Sequence, residues 1–248
     1  MDRFFTKIFI RNLSRKGMFP IINIAGLSIG LAAVLLICAF IFNEYSFDKS
    51  FLHHQRIYRA NMQLNELAQT MAGKTMSNSP KALAYAMKEE VPGVEAAVRV
   101  FVMPTIVRAD EQPFKIEKFC WADGDFFRLF DTPFSYGSPE EAFARRGTVT
   151  LSGSQAKVLF GDKNPMGEIL TVDNQPMEVS AVYMDFPANS SFAGYHVIGH
   201  FMSAASWINE PSWYDRGVET FLLLAPKTDV SVVEARSSSI ARRWNFWK

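Results

Sequence analysis

The chain has 248 residues, with 26 Lys and Arg against 25 Asp and Glu and a formal net charge of +1. So even a balance gives no electrostatic footprint for nucleic acid or a strongly acidic partner. Two cysteines in the whole chain leave the fold to rest on its core, which 22 Phe make aromatic-rich.

The first twenty residues carry Arg3, Lys7, Arg11, Arg15 and Lys16, with Phe4, Phe5, Ile8, Phe9 and Leu13 recurring at helical spacing opposite them. That pattern predicts a cytoplasmic basic segment over 1–20, a helix lying among lipid headgroups, broken from the next segment by Gly17 and Pro20. Residues 21–42, IINIAGLSIGLAAVLLICAFIF, contain no charge. As a helix they reach about 33 Å, enough for a hydrocarbon core of roughly 30 Å. A cleaved signal peptide has a shorter apolar core and ends in small residues, whereas this run ends in Ala39-Phe40-Ile41-Phe42. A buried helix of a soluble protein seldom stays apolar on every face for so many turns. The span is therefore read as a transmembrane helix. Basic residues before it and Glu44 and Asp48 after it place the N-terminus in the cytoplasm and residues 43–248 outside. Gly26, Gly30 and Ala33 share about one face, where a neighbouring helix could approach closely, although glycine is common in membrane helices generally. With Cys38 in the membrane and Cys120 outside it, the two cannot pair.

Past the span, a short helix is predicted over 48–55, then a strand from Arg56-Ile57-Tyr58-Arg59 toward Leu64, then loop to Asn78. Ser79-Pro80 reads as an N-cap followed by proline at the first helical position, with Leu83, Ala84 and Met87 as the buried stripe and Pro92-Gly93 as the stop. Residues 94–102 (VEAAVRVFV) form the next strand, giving a β-α-β unit. From Pro104 the pattern changes to short strands. Residues 105–108 and 114–120 pair around Asp110-Glu111-Gln112-Pro113, and 169–172 and 177–182 pair across Asp173-Asn174-Gln175-Pro176. A helical piece at 124–130 holds Phe126, Phe127 and Phe130 on one side, and another at 152–160 starts at Ser152 and ends at Gly161. The last strand is 219–224 and the last helix 230–247.

No constellation for catalysis, cofactor or metal emerges. His196 and His200 would face one ion only on a helix, and their β-branched, Gly-flanked setting favours an extended segment without a third ligand. His53-His54 precedes a strand and reads as surface. Ser152-Gly153-Ser154 lacks the Gly-x-Ser-x-Gly elbow, and residues 161–167 lack the Gly-Lys-Ser/Thr ending of a phosphate cradle.

A set of short motifs carries a family resemblance. In order they are Arg11-Asn12-Leu13 before a Gly-containing span, Phe47-Asp48-Lys49, Arg56-Ile57-Tyr58-Arg59, Asp125-Phe126-Phe127, Leu159-Phe160-Gly161-Asp162 with Asn164-Pro165-Met166-Gly167, Asp185-Phe186-Pro187 and Asn189-Ser190-Ser191. Together they resemble the N-terminal part of a MacB/FtsX-like ABC transporter permease, its first membrane helix and periplasmic core domain. The resemblance implies an α+β fold, with a porter-like β-α-β lobe from 46–102 and 217–248 and an inserted mainly-β lobe over 103–216. It also implies a four- or eight-helix permease in the inner membrane, dimeric or paired with a related permease, moving a substrate under a separate cytoplasmic ABC ATPase and meeting a periplasmic adaptor. Neither nucleic acid nor a cofactor is expected. No second apolar run of spanning length comes after Phe42, so the chain reads as a truncated part of such a permease. The alternative is a single-pass membrane-anchored sensor or binding module.

Overall fold

The structure, a computed structural model, describes residues 18–63 and 75–243 and divides at Phe47/Asp48 into two compact units. The basic N-terminal segment and Arg11-Asn12-Leu13 lie outside the described residues, as do Leu64 and the C-terminal residues 244–248.

The first unit contains α1, Met18–Tyr45, with 28 residues and none buried. By length and composition it can cross a membrane. It begins before Pro20 rather than after it. Proline is accommodated there because the amides of a helix's first turn have no intrahelical acceptor. At the other end the helix continues past Phe42 through Asn43 and Glu44.

The second unit opens not with the expected helix over 48–55 but with consecutive turns, closed by the bonds His54 N to Phe51 O and Arg56 N to His53 O. Its strands are β1 (Ile57–Arg59), β2 (Met62–Gln63), β3 (Thr75–Met76), β4 (Asn78–Ser79), β5 (Val94–Ala109), β6 (Gln112–Ala122), β7 (Phe134–Tyr136), β8 (Thr148–Ser152), β9 (Ile169–Val172), β10 (Gln175–Tyr183), β11 (Val197–His200) and β12 (Val218–Leu224). Between them lie α2 (Leu83–Glu90), α3 (Phe126–Leu129), α4 (Pro139–Ala142), α5 (Gly153–Phe160), a 3-10 turn at Phe201–Ser203, α6 (Ser206–Asn209) and the final α7 (Val230–Arg243). One sheet runs in the order β1-β12-β5-β6-β11-β8-β10-β7, with β4 on β12 and β9 on β10 and β5. The β2–β3 pair stands apart.

Several local expectations are corrected. Ser79 does not cap α2. It belongs to β4, pairs with Val218, and its hydroxyl meets Val218 O at 3.2 Å and Thr220 Oγ1 at 2.7 Å. With that side chain engaged by β12, the helix starts only at Leu83. The break read at Pro104 is a register shift within one 16-residue strand, β5, between Met103 and Thr105. The β-α-β unit is split, because β12 lies antiparallel between β1 and β5. Both hairpins turn on two residues, not four. Asp110-Glu111 (φ 46° and 64°) and Asp173-Asn174 (φ 48° and 64°) take the left-handed conformation of a type I′ turn. Pro113 and Pro176 therefore fall inside β6 and β10, at positions ahead of where either strand acquires its second neighbour, so their missing N–H removes no ladder bond.

Other readings hold. Ser152 caps α5 through Gln155 N and Gly161 ends it at φ 63°. Phe126, Phe127 and Phe130 are 0–2% exposed. The run of apolar residues in β12 comes from burial on both faces. Leu222 and Leu224 meet α2 and α7, while Phe221 and Leu223 meet a cluster of Phe51, Phe126, Phe130 and Phe192. A further cluster around Trp121, Leu151, Val179 and Phe201 fills the far half of the sheet.

Candidate functional site

The outer unit begins at Asp48, and the structure ties it down at once. Asp48 has φ 57°, a left-handed conformation that Asp tolerates better than most residues. In that pose its amide donates to Asn189 O at 3.0 Å, and its carboxylate accepts from Ser191 N at 2.7 Å and Ser191 Oγ at 2.5 Å. Three residues on, Phe51 is buried with its ring 5.3 Å from Phe130, 6.2 Å from Phe186 and 6.0 Å from Phe192. Two motif pieces more than 140 positions apart thus meet where the outer unit starts.

The same loop, 184–196, is fixed at its other end. Asp185 accepts from Ser154 N at 3.0 Å and from Ser154 Oγ by a short bond. His196 Nδ1 lies 3.0 Å from Ser152 Oγ, 3.4 Å from Ser154 Oγ and 3.4 Å from Asp185 Oδ1. Partial burial works to raise the Asp185 pKa, but the hydrogen bonds from Ser154 and the nearby His196 outweigh it and hold the carboxyl below its ordinary range. The residue types are those of a serine hydrolase, but the geometry is not. In a catalytic triad, carboxylate and nucleophile address opposite ring nitrogens, whereas here both address Nδ1. The cluster caps α5 and joins it to the loop. Sequence reasoning considered Ser152, Ser154 and His196 separately and missed the cluster, because Asp185 supplies the link and no spacing rule connects it to them.

A second constellation surrounds Arg99 on β5, whose side chain is fully buried. Its Nε and Nη2 grip both oxygens of Asp123 at 2.8 and 2.7 Å, and Nη2 also meets Tyr85 Oη at 2.7 Å. The guanidinium lies 4.5 Å from the Tyr85 ring centre and 4.0 Å from that of Phe201, distances at which a cation is attracted to the ring face. Beside it an open pocket of about 290 Å³ is lined by Ala84, Tyr85, Lys88, Ala97 and Asp123–Asp125. Its charged groups are engaged with each other, Asp123 by Arg99 and Asp125 by Lys88 at 2.7 Å.

The remaining candidates are structural. Residues 197–200 are extended in β11, about 13 Å for four strand steps, so His196 and His200 do not converge on one ion. His53 Nδ1 and His54 Nδ1 serve local turns through Arg56 and Phe51 O. Among the described residues no three His, Cys, Asp or Glu gather around a common point. Cys38 is exposed and Cys120 buried, both unpaired, and burial pushes the Cys120 thiol well up.

Comparison with known proteins agrees with this architecture. The sequence profile of the MacB-like periplasmic core domain matches residues 21–240. A search of curated protein sequences finds no match. Among solved structures, the fold is similar to a domain assigned to a permease protein from Porphyromonas gingivalis, with TM-score 0.64 and 20% identity over 78% of this chain and 86% of that one. It is also similar to the periplasmic region of MacB from Actinobacillus actinomycetemcomitans, with TM-score 0.57 and 12% identity over 76% and 84% of the two chains. The extracellular domain of the noncanonic ABC-type transporter YknZ from Gram-positive bacteria gives TM-score 0.57 and 14% identity over 77% and 96%. With the profile covering nearly the whole chain, including most of α1, this protein belongs to the family of MacB-like periplasmic core domains found in ABC transporter permeases.

Proposed function

We propose that the chain acts as a permease subunit of an ABC transporter. In this reading α1 crosses the inner membrane with its N-terminus in the cytoplasm, and residues from 43 onward face the periplasm. ATP is hydrolysed on a separate cytoplasmic subunit, and the outer domain conveys the resulting motion to a substrate being exported or extracted, as a homodimer or beside a related permease, with a periplasmic adaptor as further partner. Within the outer domain, 46–102 and 217–248 form a porter-like lobe and 103–216 an inserted mainly-β lobe.

The observation that carries this reading is the match of residues 21–240 to the profile of the MacB-like periplasmic core domain. The start of the outer unit is built firmly into that unit. Here the first residue of the outer unit makes three hydrogen bonds to the loop 189–191, in a backbone conformation few residues accept, with Phe51 locked into the aromatic core behind it. Asp48 and Phe51 thus fasten the first turn of the outer unit to that unit's own loop and core. The test is native purification of the chain from its own membranes and identification of what it carries. An ABC-type ATPase recovered in stoichiometric amount is expected. Recovery of the intact chain without any such ATPase, under conditions that preserve other transporter complexes, overturns the reading.

A further inference from the structure

Charge is distributed unevenly between the two proposed lobes. Three ion pairs among the described residues join 46–102 to 103–216, and they are Lys81–Asp215, Lys88–Asp125 and Arg99–Asp123. In each the cation comes from the first range and the carboxylate from the second. Pairs within one lobe, such as Arg56–Glu95, Arg145–Glu178 and Arg243–Glu90, have partly to mostly exposed cations, and Lys88 is likewise partly exposed. Lys81 and Arg99, by contrast, are the two buried charged residues of the described protein, with side chains 4% and 0% exposed.

Both buried cations also hold the returning segment 201–217. Lys81 Nζ donates to Trp207 O as well as pairing with Asp215, and the adjacent amides of Lys81 and Ala82 donate to Asp215 O and Ser212 O, each at 3.2 Å. Arg99 Nη1 reaches Asn209 O at 3.4 Å, under the ring of Phe201. Three pairs of the β5–β6 ladder, Val100–Val102 with Cys120–Ala122, cross at the same place.

We propose that this seam is an orientation lock. It fixes the two lobes in one relative position, so that the outer domain moves as a single lever and not as a clamp that opens. Buried ion pairs contribute little net stability over well-packed apolar residues, and their best-attested role is to specify one arrangement among several. Arg99 suits that role because a planar, bidentate grip fixes angle as well as distance. The inference rests on the two-lobe reading above.

The experiment uses the full chain in lipid nanodiscs, with spin labels on Val158→Cys of α5 and Val232→Cys of α7, both exposed. Cys38→Ser removes the exposed thiol, and buried Cys120 stays unlabelled. Distances are read by double electron–electron resonance. A control pair, Val158→Cys with Tyr136→Cys, lies wholly within 103–216. A single narrow distribution is expected in the parent. Arg99→Met, and separately Lys81→Met with Lys88→Ala, should add a second population to the pair that spans the lobes and leave the control pair and circular dichroism unchanged. Should Arg99→Met fail to fold, the lysine variant carries the same test. A broad distribution in the parent, or an unchanged narrow one in a folded variant, overturns the lock alone. Broadening of both pairs overturns the lock and the two-lobe reading together.

Discussion

Asp48 shows how one side chain can set the course of a chain. Its carboxylate accepts two hydrogen bonds from Ser191 while its own backbone sits at φ 57°. Replacement by Ala removes both bonds and leaves a residue poorly suited to that conformation, whereas Asn keeps an acceptor and tolerates it. Thermal melts are expected to rank wild type above Asp48→Asn above Asp48→Ala, with the alanine variant lower by about 1–3 kcal/mol. Two titrating groups contribute to the pH response of the outer unit. His200 loses pKa from its ordinary 6.5, chiefly because burial penalises the cation, with Arg146 adding to the effect and Asp123 opposing it. Its folded form therefore binds protons less readily than the unfolded chain, and the stability it contributes, fully present above 6.5, is lost as pH falls below 6.5 toward the lower folded value. Asp185 is likewise held below its ordinary 3.8, so its contribution persists to lower pH and disappears beneath that value. Melting temperature should thus fall in two acid steps, and His200→Gln should flatten the first. An unaltered first step in that variant would exclude His200 as its source.

At the scale of elements, the aromatic helix α3 is a core piece and not a docking patch. Phe127 is 1% exposed and lies within 5.5 Å of the rings of Phe126, Phe134, Phe143 and Tyr183. Phe127→Ala should cost about 3–5 kcal/mol, read as a lowered denaturant midpoint. For α1 the expectation is topological. Cysteine labelling in intact cells should place residues before Met18 inside and residues after Tyr45 outside, without cleavage between them, because five basic residues precede the span while Glu44 and Asp48 come ahead of the first base after it, Lys49. A mature protein beginning near Asn43 would contradict this. The elements whose limits were legible are those bounded by local chemistry. Ser152 and Gly161 cap α5, and Asp110-Glu111 and Asp173-Asn174 mark where both hairpins turn, although each turn is two residues and not the expected four. Elements misread were those where a distant partner took over a local signal, as β12 did with the hydroxyl of Ser79.

For the whole molecule, the described outer unit has its own clusters of buried residues on both faces of a continuous sheet. A chain starting at Asp48 is therefore expected to fold without α1 and to unfold in one cooperative transition, since the aromatic cluster draws on residues from Phe51 to Leu223. Differential scanning calorimetry showing two separated transitions would contradict that unity.

The amino-acid sequence alone determined a helix long and apolar enough to cross a membrane, a structure that satisfies its own backbone in lipid. It also determined most of the longer helices and strands, and the family, through motifs whose order survives even though each is short. Only the tertiary structure decided what those motifs do. Asp48 reaches Ser191, Asp185 reaches Ser154, and Arg99 reaches Asp123 and Phe201 across separations that no periodicity encodes. Pairing of this kind depends on which strands become neighbours in the sheet. Strand order is settled by how buried faces fit together and not by any local preference along the chain.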